Sequence, residues 1–110
     1  MEISARRIDQ TTIFDVSGDI DLANSPEVRK ALLRELREIR TPRVVMNLTK
    51  VRYIDSSGVA SLVEGLKASR DTGSRFLLFG LSASAREVLQ LSRLLKIFEV
   101  FENEEDALAS

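Results

Sequence analysis

Apolar residues recur along the chain with two periods, and the switches between them mark out its elements. From about Ile3 to Ile8 and from Thr12 to Ile20 the pattern predicts two strands, broken at the polar Asp9-Gln10-Thr11, with Phe14, Val16, Gly18 and Ile20 alternating onto one face. A hairpin is the economical arrangement for such a pair. Asn24-Ser25-Pro26-Glu27 then joins a capping side chain, a proline suited to the first helical position and an early acid, which predicts a helix start. Inside that helix Val28, Leu32, Leu36 and Ile39 share one stripe, while Arg29, Lys30, Arg34, Glu35, Arg37 and Glu38 fall largely away from it. Thr41-Pro42 ends it, because the residue before a proline is pushed out of the helical region.

The second half repeats the alternation. Val44-Val45-Met46-Asn47-Leu48 is nearly continuous in apolar residues, the signature of a strand covered on both faces. A linker, Thr49 to Ile54, leads to Asp55-Ser56-Ser57-Gly58, after which Val59, Leu62, Val63 and Leu66 form a helical stripe with Ala60, Glu64, Lys67 and Asp71 opposite; Thr72-Gly73 supplies the stop. Phe76-Leu77-Leu78-Phe79 predicts another buried strand closed by Gly80, and Ser82 can cap a third helix that turns Ala85, Val88, Leu89 and Leu95 inward. Val100-Phe101 fits a short strand, and Asn103-Glu104-Glu105-Asp106 caps a terminal helical turn. The order β-β-α-β-α-β-α-β-α predicts an α/β fold, a mixed sheet that opens with a hairpin and packs against about four helices.

Composition narrows the functions this frame can serve. At 110 residues, 44% hydrophobic, the chain fits one domain spanning residues 1–110. Its 16 basic and 17 acidic residues leave a net charge of −1, which argues against direct nucleic-acid binding through phosphate neutralisation. It has no cysteine and no histidine, which removes disulfides, the Ser-His-Asp and Cys-His nucleophilic arrangements and the usual zinc sites. No stretch approaches the length needed to cross a bilayer, and a cytoplasmic location is expected. Neither a Gly-x-x-x-x-Gly-Lys nor a Gly-x-Gly-x-x-Gly motif occurs, and no cofactor or metal is expected.

The chemistry that remains sits at Asp55-Ser56-Ser57-Gly58, two hydroxyls and a carboxylate where a helix exposes free N–H groups. One serine caps the helix, or one hydroxyl is presented to accept a phosphoryl group; capping accounts for one serine and not two. Asp55 caps, positions a serine for a kinase, or binds a metal with nucleotide. Gly58 fits a close approach of backbone or partner. Gly18-Asp19-Ile20-Asp21 is a polar exit from a strand or a docking edge.

Taken together, these residues resemble the STAS domain family, named for sulfate transporters and anti-sigma factor antagonists. Gly18-Asp19-Ile20-Asp21 is similar to that family's strand-end motif, Val44 to Leu48 to its central strand, and Asp55-Ser56-Ser57-Gly58 to its phosphorylation turn. In order and spacing the resemblance extends through Phe76 to Gly80 and a helix from Ser82 to Leu95. It implies an anti-sigma factor antagonist, not an enzyme, whose Ser57 is phosphorylated, with Ser56 the second candidate. Its partners would be an anti-sigma factor that is also a serine kinase of the histidine-kinase-like ATPase type, and a serine phosphatase. Asp19, Asp21, Asn24 and Ser25 would line the docking surface beside Asp55, Ser56, Ser57 and Gly58. The resemblance also admits a second role, a STAS subunit docking on the permease or ATPase of a lipid-transporting ABC system.

Overall fold

Strands that follow one another in sequence also lie side by side. The computed structural model describes all 110 residues. Its sheet runs β1 (Glu2–Ile8), β2 (Thr11–Ser17), β3 (Arg43–Lys50), β4 (Arg75–Phe79), β5 (Glu99–Phe101). The opening hairpin pairs β1 antiparallel to β2, and the remaining neighbours are parallel. Parallel neighbours need crossovers, and these are supplied by α1 (Ser25–Leu33), α2 (Ser56–Thr72) and α3 (Ala83–Leu91). Because crossovers are right-handed and every step along the sheet goes the same way, all three helices fall on one face. The short α4 (Glu104–Ala109) covers the other.

The core is therefore lopsided. The main cluster joins Phe14, Val16, Val44, Met46, Phe76 and Leu78 to the stripes of α1 and α2, whereas the reverse face buries only Ile13, Val45, Leu77, Phe79 and Ala107. The expected alternation in β2 is only half of its pattern, since Ile13 is buried on the reverse face under α4 while Phe14 and Val16 meet the helices. The strand also stops at Ser17, three residues earlier than expected: Gly18 turns the chain at φ +91°, and Ile20 contributes only an isolated bridge to Ile54. Each fully buried Leu, Ile or Phe in these layers contributes roughly 1.5–3 kcal/mol.

The first helix departs from its predicted face. After Leu33 it widens into a π-helical segment, Arg34–Ile39, that ends at Arg40 in the left-handed conformation. A wider turn advances each residue by a smaller angle, so the stripe that runs through Val28, Leu32 and Leu36 is lost at Ile39, which is 47% exposed. Glu35, expected among the outward residues, is rotated inward and is 3% exposed. Its carboxylate accepts hydrogen bonds from Arg7 (2.6 and 3.1 Å), Thr12 (2.7 Å) and Thr41. This cluster ties β1, β2 and the end of the helix together.

Burial pushes the Glu35 carboxyl up, and the hydrogen bonds from Arg7, Thr41 and Thr12 outweigh it and hold it below the usual carboxylate range. A group depressed on folding stabilises the fold above its unfolded value, and that contribution is lost as pH falls through the folded value. The stability that Glu35 contributes will therefore drain away as pH falls from the ordinary carboxylate range to the lower folded value, and be gone below it. Glu35→Ala, which strands two buried threonine hydroxyls, will cost about 2–4 kcal/mol by denaturant titration at neutral pH. Glu35→Gln will flatten the acid limb of the stability curve; an acid limb identical to that of the unaltered protein would show that Glu35 does not carry it.

The remaining elements close the sheet. Helix α3 stops at Leu91, short of Leu95, because Arg93 turns left-handed; a single 3₁₀ turn, Leu95–Ile97, then leads into β5. Ser82 caps α3 through Ala85 N–H (3.0 Å) and Asn103 caps α4 through Asp106 N–H (2.8 Å).

Candidate functional site

The carboxyl ends of β2 and β3 bring two loops together at one rim of the sheet, where open α/β sheets place their binding sites. Backbone bonds zip the loops: Ile20 N–H donates to Tyr53 O and Asp55 N–H to Ile20 O, both at 3.1 Å. Ile20 and Ile54 are fully buried beneath the rim. Gly58 lies directly on them. A Cβ added at Gly58 would stand 2.6 Å from Ile54 Cγ2 and 2.7 Å from the Ile20 carbonyl oxygen, so no larger residue fits without displacing the seam. Gly58 was expected at the docking surface; it is buried, and its role is the close approach of helix to backbone.

Asp55 is the cap of α2. Its Oδ1 accepts from Gly58 N–H (3.0 Å), and its Oδ2 accepts from Leu22 N–H (3.1 Å) in the opposite loop. One carboxylate thus fixes the helix start and the neighbouring loop at the same time. That leaves neither serine as the cap. Ser56 and Ser57 occupy the first two helical positions, Ser56 exposed and Ser57 half-buried. The Ser57 hydroxyl bonds to no protein atom, and no buried side-chain oxygen in the molecule lacks a partner, so solvent reaches it. Their backbone N–H groups also point out of the helix unpaired, at the positive end of its dipole.

The loop from Gly18 to Asn24 is held as firmly as a secondary element. Asp21 Oδ1 accepts from the N–H groups of Ala23 (3.0 Å) and Asn24 (3.3 Å), while Asn24 Oδ1 accepts from Asp21 N–H (2.9 Å) and its Nδ2 donates to Asp19 O (2.8 Å). Asn24 was expected to cap α1 with its side chain; it spends that side chain backwards on the loop instead. Ser25 was expected on the docking surface and is 7% exposed. Its carbonyl accepts from Ser61 Oγ (3.0 Å), which donates also to Ser57 O (3.2 Å), so Ser25 is a buried strut between the starts of α1 and α2. Asp19 is exposed, and Asp21 and Asn24 are half-buried.

Among the predicted residues the rim brings together Asp19, Asp21, Asn24, Asp55, Ser56 and Ser57, with Ser25 and Gly58 beneath them. Sequence reasoning missed Leu22, which is 75% exposed in the polar loop, and Tyr53, exposed next to Ile54 of the seam. The available signal was a leucine set between polar loop residues, outside any apolar stripe. No bound group is needed to explain the site's chemistry: it offers two reachable hydroxyls, those of Ser56 and Ser57, with unpaired N–H groups and a rigid acidic and apolar rim.

A family model described as STAS domain matches residues 2–107. The anti-sigma-B factor antagonist of Listeria monocytogenes serovar 1/2a is 35% identical over 101 residues, covering 91% of this chain and 86% of that protein. The crystal structure of an anti-sigma factor antagonist from Mycobacterium paratuberculosis superposes with a TM-score of 0.86 at 22% identity, covering 98% of this chain and 91% of that one. The Bacillus cell fate determinant SpoIIAA in its phosphorylated form shares the fold with a TM-score of 0.76 at 19% identity, covering 98% and 97%. These names favour the anti-sigma factor antagonist over the transporter-subunit reading. No helix is long and apolar enough to cross a membrane.

Proposed function

Since this chain belongs to the STAS domain family, in its anti-sigma factor antagonist type, we propose that it is a switch protein whose Ser57 is phosphorylated by the anti-sigma factor it binds. Unphosphorylated, it docks on a kinase-type anti-sigma factor of the histidine-kinase-like ATPase class and frees a sigma factor in the cytoplasm. Phosphorylated, it lets go until a serine phosphatase restores it. The chain is then substrate and ligand rather than catalyst.

The observation that carries this reading is the division of labour between Asp55 and Ser57. Because the aspartate does the capping, the second hydroxyl of the motif is left without a structural task, open to solvent, beside a loop locked in place. A phosphate there adds about 1.5–2 negative charges. The unpaired N–H groups of the first turn favour an anion, so the fold tolerates the group while the rim gains negative charge and bulk. The phosphorylated relative that shares this fold is consistent with that tolerance.

Displacement tests the role directly. Adding the unphosphorylated chain to a preformed complex of sigma factor and kinase-type anti-sigma factor will release the sigma factor in proportion to the chain added; no release at saturating chain would refute the role. Leu22 supplies a second check, because a leucine presented on an already ordered loop costs little entropy to bury. Burying it is worth roughly 1.5–3 kcal/mol, so Leu22→Ala will weaken binding about tenfold or more while leaving the melting temperature unchanged.

A further inference from the structure

A cavity opens at the far end of α3, away from the Ser57 rim. The helix starts beside the rim, where Ser82 Oγ donates to Arg52 O (2.9 Å), and runs away from it for nine residues, about 14 Å. At its end lies a cavity of about 400 Å³, open to solvent and lined by Gln90, Arg93, Leu95 and Lys96. That volume falls within the range of small-molecule sites, about 300–1,000 Å³. Leu95 packs on the main core and gives the cavity an apolar wall, which the aliphatic stems of Gln90, Arg93 and Lys96 extend. In sequence the lining is flanked by Leu91, 78% exposed and the least covered large apolar residue of the chain, and by exposed Ile97.

The two cations of this cavity are uncommitted. Arg86, earlier on the same helix, pairs with Glu102 (3.3 Å), whereas neither Arg93 nor Lys96 forms an ion pair. Of the acids nearest in sequence, Glu99 is engaged by Arg75 (2.7 Å) and Glu87 forms no ion pair. The helix dipole accounts for one cation near the last carbonyls, and Arg93 suffices for that. Lys96 lies beyond the helix, in the 3₁₀ turn. Nor is arginine what the backbone at position 93 favours. Leu94 N–H returns to Leu89 O (2.8 Å) and Arg93 N–H to Gln90 O (3.0 Å), closing α3 with Arg93 at φ +59°, a conformation that glycine takes without strain. The chain thus holds a charged side chain in the cavity lining against its backbone preference.

We infer that this cavity binds a single-chain anionic amphiphile of the acyl carboxylate class. The apolar wall takes the chain, and the guanidinium of Arg93 and the ammonium of Lys96 take the carboxylate through charge-assisted hydrogen bonds. A neutral chain leaves both cations unpaired, and a short anion leaves the wall wet, so the two features together select a ligand that carries both. The site stands apart from the rim, and charge at Ser57 leaves it unaltered.

Titration calorimetry of the full chain with decanoate, kept below the concentration at which it forms micelles, will show saturable binding of one molecule per chain. Decyltrimethylammonium, which reverses the head charge, and acetate, which lacks the chain, will each bind at least about tenfold more weakly. Lys96→Gln will weaken decanoate binding about tenfold. Arg93→Gly will weaken it as much and yet melt no lower than the unaltered chain, because glycine relieves the left-handed turn; a merely structural role for the arginine would not give that pair of results. Ser57→Asp will bind decanoate as the unaltered chain does. Failure to saturate, equal binding of decyltrimethylammonium, or an affinity for decanoate unmoved by Arg93→Gly or by Lys96→Gln would each overturn the inference. So would a chain that sediments with phosphatidylglycerol vesicles and ignores monomeric decanoate, since the patch would then dock on a membrane surface.

Discussion

Phosphorylating Ser57, or replacing it with aspartate, will weaken docking on the anti-sigma factor by about a hundredfold or more. The new charge enters a rim already lined by Asp19, Asp21 and Asp55, two of which are fixed by loop hydrogen bonds and cannot swing aside. Repulsion from the chain's own aspartates is the same free and bound, so the loss comes from the partner: a carboxylate of the partner brought to about 4 Å of the added charge at an effective dielectric near 20 costs roughly 4 kcal/mol, and each 1.4 kcal/mol is a factor of ten. Bulk acts in the same direction, since the hydroxyl sits on the first turn of α2 on a half-buried residue. Ser57→Ala, which removes the acceptor without adding charge, will bind within a few-fold of the unaltered chain. Titration calorimetry on the three proteins distinguishes these outcomes, and equal affinity of Ser57→Asp and Ser57→Ala would remove the electrostatic basis of the switch.

Gly58→Ala will damage the fold more than any other single substitution at the rim. The added methyl meets two fully buried isoleucines and a carbonyl oxygen that is itself bonded to Asp55 N–H, so relief requires the two loops to part. Overpacking of a closed core costs typically 1–3 kcal/mol, and here backbone is among the atoms in the way. A loss of about 3 kcal/mol, roughly 12 °C in Tm, is expected from thermal unfolding. Because Gly58 has ordinary helical geometry and no positive φ, any such loss comes from contact and not from backbone strain. A variant that melts within two or three degrees of the unaltered chain would show that the seam can open cheaply.

These two residues also show where the sequence is readable. Strands β3 and β4 were plain because both faces are covered at their centres, so Val44 to Met46 and Phe76 to Phe79 are unbroken apolar runs. The α2 stripe was plain because a regular helix keeps its phase for seventeen residues. The first helix was legible only to Leu36: the π-helical widening that buries Glu35 and exposes Ile39 follows from the pull of Arg7, Thr12 and Thr41, which arrive from distant parts of the chain. In β2, a period-two reading found Phe14 and Val16 and passed over Ile13, whose cover, α4, lies at the far end of the sequence.

At the site, the motif was legible and the assignment of tasks within it was not. Three adjacent oxygen-bearing side chains stand at the start of α2, and spacing alone does not say which one turns back to cap it. The answer depends on Leu22 N–H, thirty-three residues away, which occupies the other oxygen of Asp55. Ser25 and Asn24 likewise looked like surface residues in sequence. Their partners, Ser61 Oγ and Asp19 O, place the first beneath the surface and commit the second to the loop.

The claim on which the account turns is that the hydroxyl of Ser57 is the phosphoryl acceptor. Incubating the chain with a kinase-type anti-sigma factor and ATP, then locating the phosphate by mass spectrometry of its peptides, tests it most directly. The account predicts one phosphate per chain, on Ser57, absent from Ser57→Ala and retained by Ser56→Ala. Phosphate on Ser56 or elsewhere, or undiminished labelling of Ser57→Ala, would contradict it.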